Sequence, residues 1–294
     1  MAPRVLFVSE ILFNFVVLNG ILPCSRHIES VFAVLCRKSD SFTKQKDNRT
    51  TPIAMIIKRI ATLTILLIAF IFASAEEVEP QIIKLNCGSG VRYAKLYQPQ
   101  QTDGNSVPLV FVFHGRGGSM HGAAKNIAIH NYWPEAMVVY PHGMWCEGGY
   151  KDGLGWVIDE QSRDLEMFDV LLSHLLNSYE IDRNRIYATG HSNGGAFVHA
   201  LWRWRGDIFA AVAPSASTSS KLGESRYSRA QKPVLIIGGE ADEVVKIASI
   251  RREIAIIEQI NNPRNTEIFI HKEGHKFLPQ SAVEIVRFFK KHTK

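Results

Sequence analysis

Cysteine is scarce in this chain. There are four among 294 residues, and only Cys87 and Cys146 lie beyond residue 75. That excludes a small scaffold held together by disulfides, so the fold must rest on an apolar core. In an oxidising compartment the two downstream cysteines can pair or stand as separate thiols, and their spacing does not choose. Histidine is more plentiful, at 11, but no cluster has the spacing of a metal site. An unbroken apolar run long enough for a membrane span is also missing: Val5–Leu22 is interrupted by Glu10 and Asn14. Ile60 to Phe72 gives 13 residues, against the roughly 20 that a bilayer requires.

The body of the chain also lacks an excess of positive charge. The whole sequence carries +6. Residues 1–75 hold nine Lys/Arg and four Asp/Glu, a net +5, while residues 76–294 hold 25 and 24, a net +1. The basic character therefore belongs to the front and gives no reason to expect a nucleic-acid partner.

That front has its own pattern. Met55-Ile56-Ile57-Lys58-Arg59 is a basic start, Ile60–Phe72 is apolar, and Ala73-Ser74-Ala75 is a small-residue cleavage site. Residues 55–75 read as a secretory signal peptide cleaved after Ala75, which predicts a secreted or periplasmic protein. The alternative is an uncleaved leader acting as a membrane anchor. Residues 1–54 precede it without a repeat or recognisable motif, as an upstream extension that is either native or lies before a true start at Met55. Residues 76–294 then have the length of one domain.

The most informative segment is Gly190-His191-Ser192-Asn193-Gly194-Gly195. A strand-like run, Arg185–Thr189, leads in and a helix-like run, Ala196–Trp202, leads out. Strand, G-x-S-x-G, helix is the setting of a nucleophile elbow, with the serine exposed at a tight turn. Five residues of pattern are weak evidence alone, and the flanking elements make them strong.

Three further segments follow the same logic. Pro108-Leu109-Val110-Phe111-Val112-Phe113 runs into His114-Gly115-Arg116-Gly117-Gly118-Ser119. Acyl transfer develops an oxyanion that needs preorganised N–H donors. The expected donors are the amides of Arg116 and Asn193. Pro233–Gly239 is an apolar strand ending in a loop with three acids. Asp242 is assigned to orient the catalytic histidine, with Glu240 and Glu243 as alternatives. Thr266–His271 is another strand, followed by Gly274-His275 in a loop and an amphipathic helix from Ser281 to Lys291. His275 is the expected proton shuttle. His271 is the alternative, and its place in the strand alternation favours a structural role.

The chain order Ser192, Asp242, His275 is the order of the α/β-hydrolase triad. Strand-like runs at 91–97, 109–114, 137–140, 185–189, 209–213, 234–238 and 267–271 alternate with helical patterns. Leu165, Phe168, Leu172, Leu175, Leu176 and Tyr179 are the clearest helical stripe. Such alternation predicts an α/β fold with a mostly parallel sheet and helices on both faces. No insertion is long enough for a large lid. Trp145 and Trp156, in and after the loop that follows the third strand, either line a substrate cleft or pack the loop.

With Arg183–Ala196, His114–Gly118, Ala241–Val245 and Phe209–Pro214 taken together, the chain resembles the polyhydroxybutyrate depolymerase and feruloyl esterase family of secreted α/β-hydrolases. The similarity runs roughly from Val91 to Phe289. It departs from many members just after the histidine, where Lys276-Phe277-Leu278-Pro279 stand. The resemblance implies a serine esterase without a metal or other cofactor, acting on a small-molecule or polymeric ester, with Ser192, Asp242 and His275 as the triad. Feruloyl, acetyl, polyester and simple carboxylesters all fit. A serine peptidase of this fold is the second reading, though the chain lacks a propeller or other gating domain. A non-catalytic binding protein would be expected to lose a triad member, and all three positions are filled.

Overall fold

In the computed structural model, the described residues are 79–294, except 101–103, 149–150 and 223–230. The segment 55–75 expected to be a signal peptide, the upstream extension and Tyr150 of the loop after the third strand fall outside them.

The frame is an eight-stranded sheet. In chain order it is built from β1 (Gln81–Cys87), β2 (Gly90–Tyr97), β3 (Val107–Phe113), β4 (Met137–Pro141), β7 (Ile181–His191), β8 (Ala211–Ser215), β9 (Val234–Gly239) and β10 (Thr266–His271). Between β4 and β7 lies a separate antiparallel hairpin, β5 (Met144–Cys146) and β6 (Gly153–Gly155). The strand order is β1-β2-β4-β3-β7-β8-β9-β10. The β1–β2 and β2–β4 pairs are antiparallel. All pairs from β4 to β10 are parallel.

The central strands are apolar on both faces because both faces are covered. Leu109, Phe111 and Phe113 of β3 enter one core, and Val110 and Val112 enter the other. Three helices contribute to the first core: α3 (Arg163–Ser178), α4 (Asn193–Arg205) and α5 (Ile247–Ile260). Three others contribute to the second: α1 (Met120–Asn126), α2 (Ile129–Tyr132) and α6 (Pro279–Phe289). In α3 the stripe Leu165, Phe168, Leu172, Leu175 faces inward. Ser162 caps its start, its hydroxyl accepting from the Leu165 N–H at 3.2 Å. Parallel strands connected through covering helices leave their carboxyl ends on one rim, where ligands bind in open α/β sheets. The loops after β3, β7, β9 and β10 all open onto that rim.

The seven strands expected from sequence are present, with ends shifted by a few residues. β7 begins earlier, because Asp182-Arg183-Asn184 continues the extended backbone despite its polarity. β1 is additional. Only Ile83 and Leu85 of it are buried, so its inward alternation is too short to stand out.

A buried ion pair fastens the β2 edge to the start of α3. Arg92 Nη2 donates to Asp164 Oδ1 at 2.7 Å, and both side chains are fully enclosed. Asp164 Oδ2 also accepts the Val157 N–H at 2.8 Å. Enclosed charges are tolerable only when paired and hydrogen-bonded. This pair fixes the segment that carries Trp156. Cys87 and Cys146 are separate thiols, so the alternative in which they pair is not the one adopted.

Candidate active site

Ser192 lies at the turn from β7 into α4, with φ 58° and ψ −120°. A serine in that region is strained by about 1–3 kcal/mol, which the surroundings must impose. They do so through the backbone: the Ser192 N–H donates to Ser215 O and its carbonyl accepts from Ala196 N–H, each at 2.9 Å. Two glycines make the turn possible. A Cβ on Gly190 would lie 2.6 Å from the Gly194 carbonyl group, and one on Gly194 would collide with the Phe113 carbonyl of β3. Without side chains there, α4 seats directly against the sheet.

Three expected residues meet at this point. His275 Nε2 is 2.8 Å from Ser192 Oγ. His275 Nδ1 is 2.7 Å from Asp242 Oδ2. Asp242 is buried, and its Oδ1 accepts the Val244 and Val245 N–H groups at 2.8 Å each. A carboxylate only accepts, so Nδ1 carries the hydrogen between the two. In the neutral ring Nε2 is then an acceptor facing the serine hydroxyl. The alternatives lie elsewhere. Glu240 and Glu243 are exposed. His271 is buried at the end of β10, in register with Gly239.

The loop after β3 abuts the serine. A Cβ on Gly115 would lie 3.4 Å from Ser192 Cβ. Within the loop the Gly117 N–H donates to Leu154 O at 2.7 Å and the Gly118 N–H donates to Gly115 O at 3.0 Å. Among the described residues the Arg116 amide has no such acceptor. Asn193 opens α4, where the first N–H groups have no acceptor within the helix. The two amides expected to hold an oxyanion are therefore on the loops that flank Ser192.

His114 braces this loop from below. Its ring is buried, Nδ1 donates to Gly115 O at 2.8 Å, and Nε2 accepts the Gly143 N–H at 2.9 Å. Both nitrogens are satisfied in one neutral tautomer, and burial lowers its pKa to about 4. His191, beside Ser192, is likewise lowered to about 4, by burial first and by the neighbouring His275 second. Its ring centroid lies 4.8 Å from that of His275.

The two tryptophans differ. Trp145 is 59% exposed on β5. Trp156 is 1% exposed, so its indole packs the core and does not line a cleft. The ring meets Phe113 edge-on and stacks on Phe197, while Nε1 donates to His114 O at 2.8 Å. The physical reason is that the indole fills the space between β3 and α4, where its one polar atom finds a carbonyl.

Asn193 adds a contact that no sequence pattern signals. Its Oδ1 accepts the Trp156 N–H at 2.8 Å and its Nδ2 donates to Trp156 O at 3.1 Å. The residue after Ser192 is thus clamped by its side chain while its amide stays at the rim. Among the described residues no group of three or more His, Cys, Asp or Glu is arranged to hold a metal.

No protein-family model matches the chain, and no curated protein matches it. Solved structures do. A thermostable esterase aligns with TM-score 0.55 and 18% identity over 74% of this chain, which spans 64% of that esterase's length. A ferulic acid esterase aligns with TM-score 0.58 and 12% identity, over 72% of this chain and 98% of that one. An acylaminoacyl peptidase from Pyrococcus horikoshii aligns with TM-score 0.53 and 16% identity, over 76% of this chain and 42% of that one. With the sheet order and its covering helices, these matches define an α/β-hydrolase fold.

Proposed function

We propose that the protein is a serine esterase that cleaves carboxylic esters through an acyl-enzyme. The observation that carries this reading is the pair of hydrogen bonds made by His275, one to Ser192 and one to Asp242. Ser192 Oγ attacks the carbonyl carbon as His275 Nε2 takes its proton. Asp242 holds the ring in the required tautomer and stabilises the imidazolium. The amides of Arg116 and Asn193 hold the oxyanion. As the tetrahedral intermediate collapses, His275 returns the proton to the departing alkoxide. Water then loses a proton to the same nitrogen as its oxygen attacks the acyl carbon; the second tetrahedral intermediate collapses, the bond to Ser192 Oγ breaks, the serine takes that proton back from His275, and the acid is released.

The finer resemblance to polyhydroxybutyrate depolymerases and feruloyl esterases rests on the motifs around Ser192, His114–Gly118 and Asp242. It supports feruloyl, acetyl or polyester-oligomer substrates within the ester class. The leader pattern at residues 55–75 supports export, with cleavage near Ala75. The peptidase among the structures of this fold keeps a second reading open, because the same triad can cleave an activated amide.

A panel separates these readings. The expected outcome is turnover of 4-nitrophenyl acetate and butyrate and of methyl ferulate, with little turnover of acylaminoacyl anilides. Cleavage of the anilides in preference to every ester would replace the esterase reading with the peptidase one.

A further inference from the structure

One cation in the loop that touches Ser192 and one beside it have, among the described residues, no acid for a partner. Arg116 is half-buried, and its guanidinium lies against β6: a Cβ on Gly155 would lie 3.2 Å from both Cζ and Nε. Its side chain makes one long hydrogen bond, from Nη1 to Gly153 O at 3.5 Å. None of its nitrogens is buried without a partner, so the remaining N–H groups face solvent. Lys151 reaches across the same loop from the hairpin. Its Cε and Nζ would each lie 3.2 Å from a Cβ on Gly117.

Among the described residues neither cation forms an ion pair. The neighbouring Asp152 turns its Oδ1 to the Gly148 N–H at 2.7 Å. The acid loop on the other side of the nucleophile exposes the carboxylates Glu240 and Glu243. An anionic substituent on a bound ester is thus favoured on the Arg116 side and opposed on the other.

We propose that Arg116 and Lys151 form an anion subsite, and that the preferred substrates are esters bearing a carboxylate a few bonds from the scissile carbonyl. This rests on the esterase reading above. Arg116 then acts twice: its main-chain amide faces the oxyanion, and its side chain takes the carboxylate. The guanidinium offers the planar fork suited to a carboxylate, and Lys151 adds a mobile point charge.

Matched esters that differ only in charge test the subsite on the full chain. 3-Acetoxybenzoate against 3-acetoxybenzamide varies the alcohol side. Monoethyl adipate against its primary amide, ethyl 6-amino-6-oxohexanoate, varies the acyl side. The wild-type protein is expected to favour the anionic member of at least one pair by about tenfold in kcat/KM, the scale of a charge-assisted contact that solvent partly reaches. Arg116→Gln and Lys151→Gln should each lower that ratio severalfold, the double variant should bring it near one, and Arg116→Lys should keep part of it. Raising the salt should shrink the ratio.

Circular dichroism establishes that each variant is folded. A ratio of one or less in both pairs, from wild-type protein that cleaves the neutral esters, overturns the subsite and leaves the esterase reading standing. An equal loss on both members in Arg116→Gln would place the guanidinium on the oxyanion instead, and also overturns it. Failure to cleave any of these esters or the nitrophenyl esters overturns both readings.

Discussion

The two sides of Ser192 are each organised by a histidine, and the contrast between His114 and His275 is instructive. His114 has both nitrogens committed to the backbone, one donating to Gly115 O and one accepting from Gly143 N–H. Nothing remains for chemistry, and burial keeps the ring neutral. His275 has one nitrogen fixed by Asp242 and the other on the serine hydroxyl. The same imidazole is a brace in one place and, in the proposed mechanism, a proton carrier in the other. The partner of each nitrogen decides which, not the residue type.

Breaking the His275 side should therefore cost turnover, and breaking the His114 side should cost stability. The largest effect is expected for His275→Ala, which should remove nearly all nitrophenyl ester turnover, about 10⁴-fold or more on the scale of triad deletions. Folded His271→Ala should keep measurable activity, because His271 packs beside Gly239 and does not reach the serine. Wild-type-like rates from folded His275→Ala, with activity lost in folded His271→Ala, would reverse the assignment. Asp242→Asn should come next, with kcat reduced by roughly 10²- to 10⁴-fold while the nucleophile remains. Single-turnover kinetics would locate that loss in the chemical step.

The stability of the His114 side should depend on pH. A histidine whose folded pKa is depressed to about 4 binds fewer protons folded than unfolded between that value and about 6.5. Its stabilising contribution is complete above about 6.5 and is lost as pH falls toward 4. For enclosed His114 the full loss is on the order of 3 kcal/mol. His130 and His191, also lowered to about 4 mainly by burial, act in the same direction. Melting followed by circular dichroism should give a lower Tm at pH 5 than at pH 7.5, with a smaller drop in His114→Gln. A Tm unchanged across that range would contradict the buried neutral ring.

Particular residues explain how far the sequence could be read. The strands β3, β7, β8 and β9 stood out because burial on both faces demands near-continuous apolar runs. The serine turn stood out because a strained elbow admits few residue types on either side of the nucleophile. Which of His271 and His275 lies beside Ser192 was legible too, since one continues an alternation and the other follows a glycine in a loop.

Other features had no local signature. The Arg92–Asp164 pair joins residues 72 positions apart, and nothing in a charged residue announces that it will be enclosed. Asn193 reads as an elbow residue, whereas its side-chain clamp on Trp156 exists only once the loops meet. Trp156 sits in a glycine-rich loop that suggested a cleft, yet its indole fills the gap beside Phe113 and Phe197. Burial of a loop aromatic depends on the space left between distant elements, which local pattern does not encode.

In the proposed mechanism Ser192 is the nucleophile and His275 activates it. The most direct test is covalent labelling of the intact protein with a fluorophosphonate, read by mass spectrometry with peptide mapping. One adduct per chain is expected, on the peptide containing Ser192. The adduct should be absent in Ser192→Ala and form far more slowly in His275→Ala. A stoichiometric adduct on another residue, or labelling that persists in folded Ser192→Ala, would contradict that mechanism.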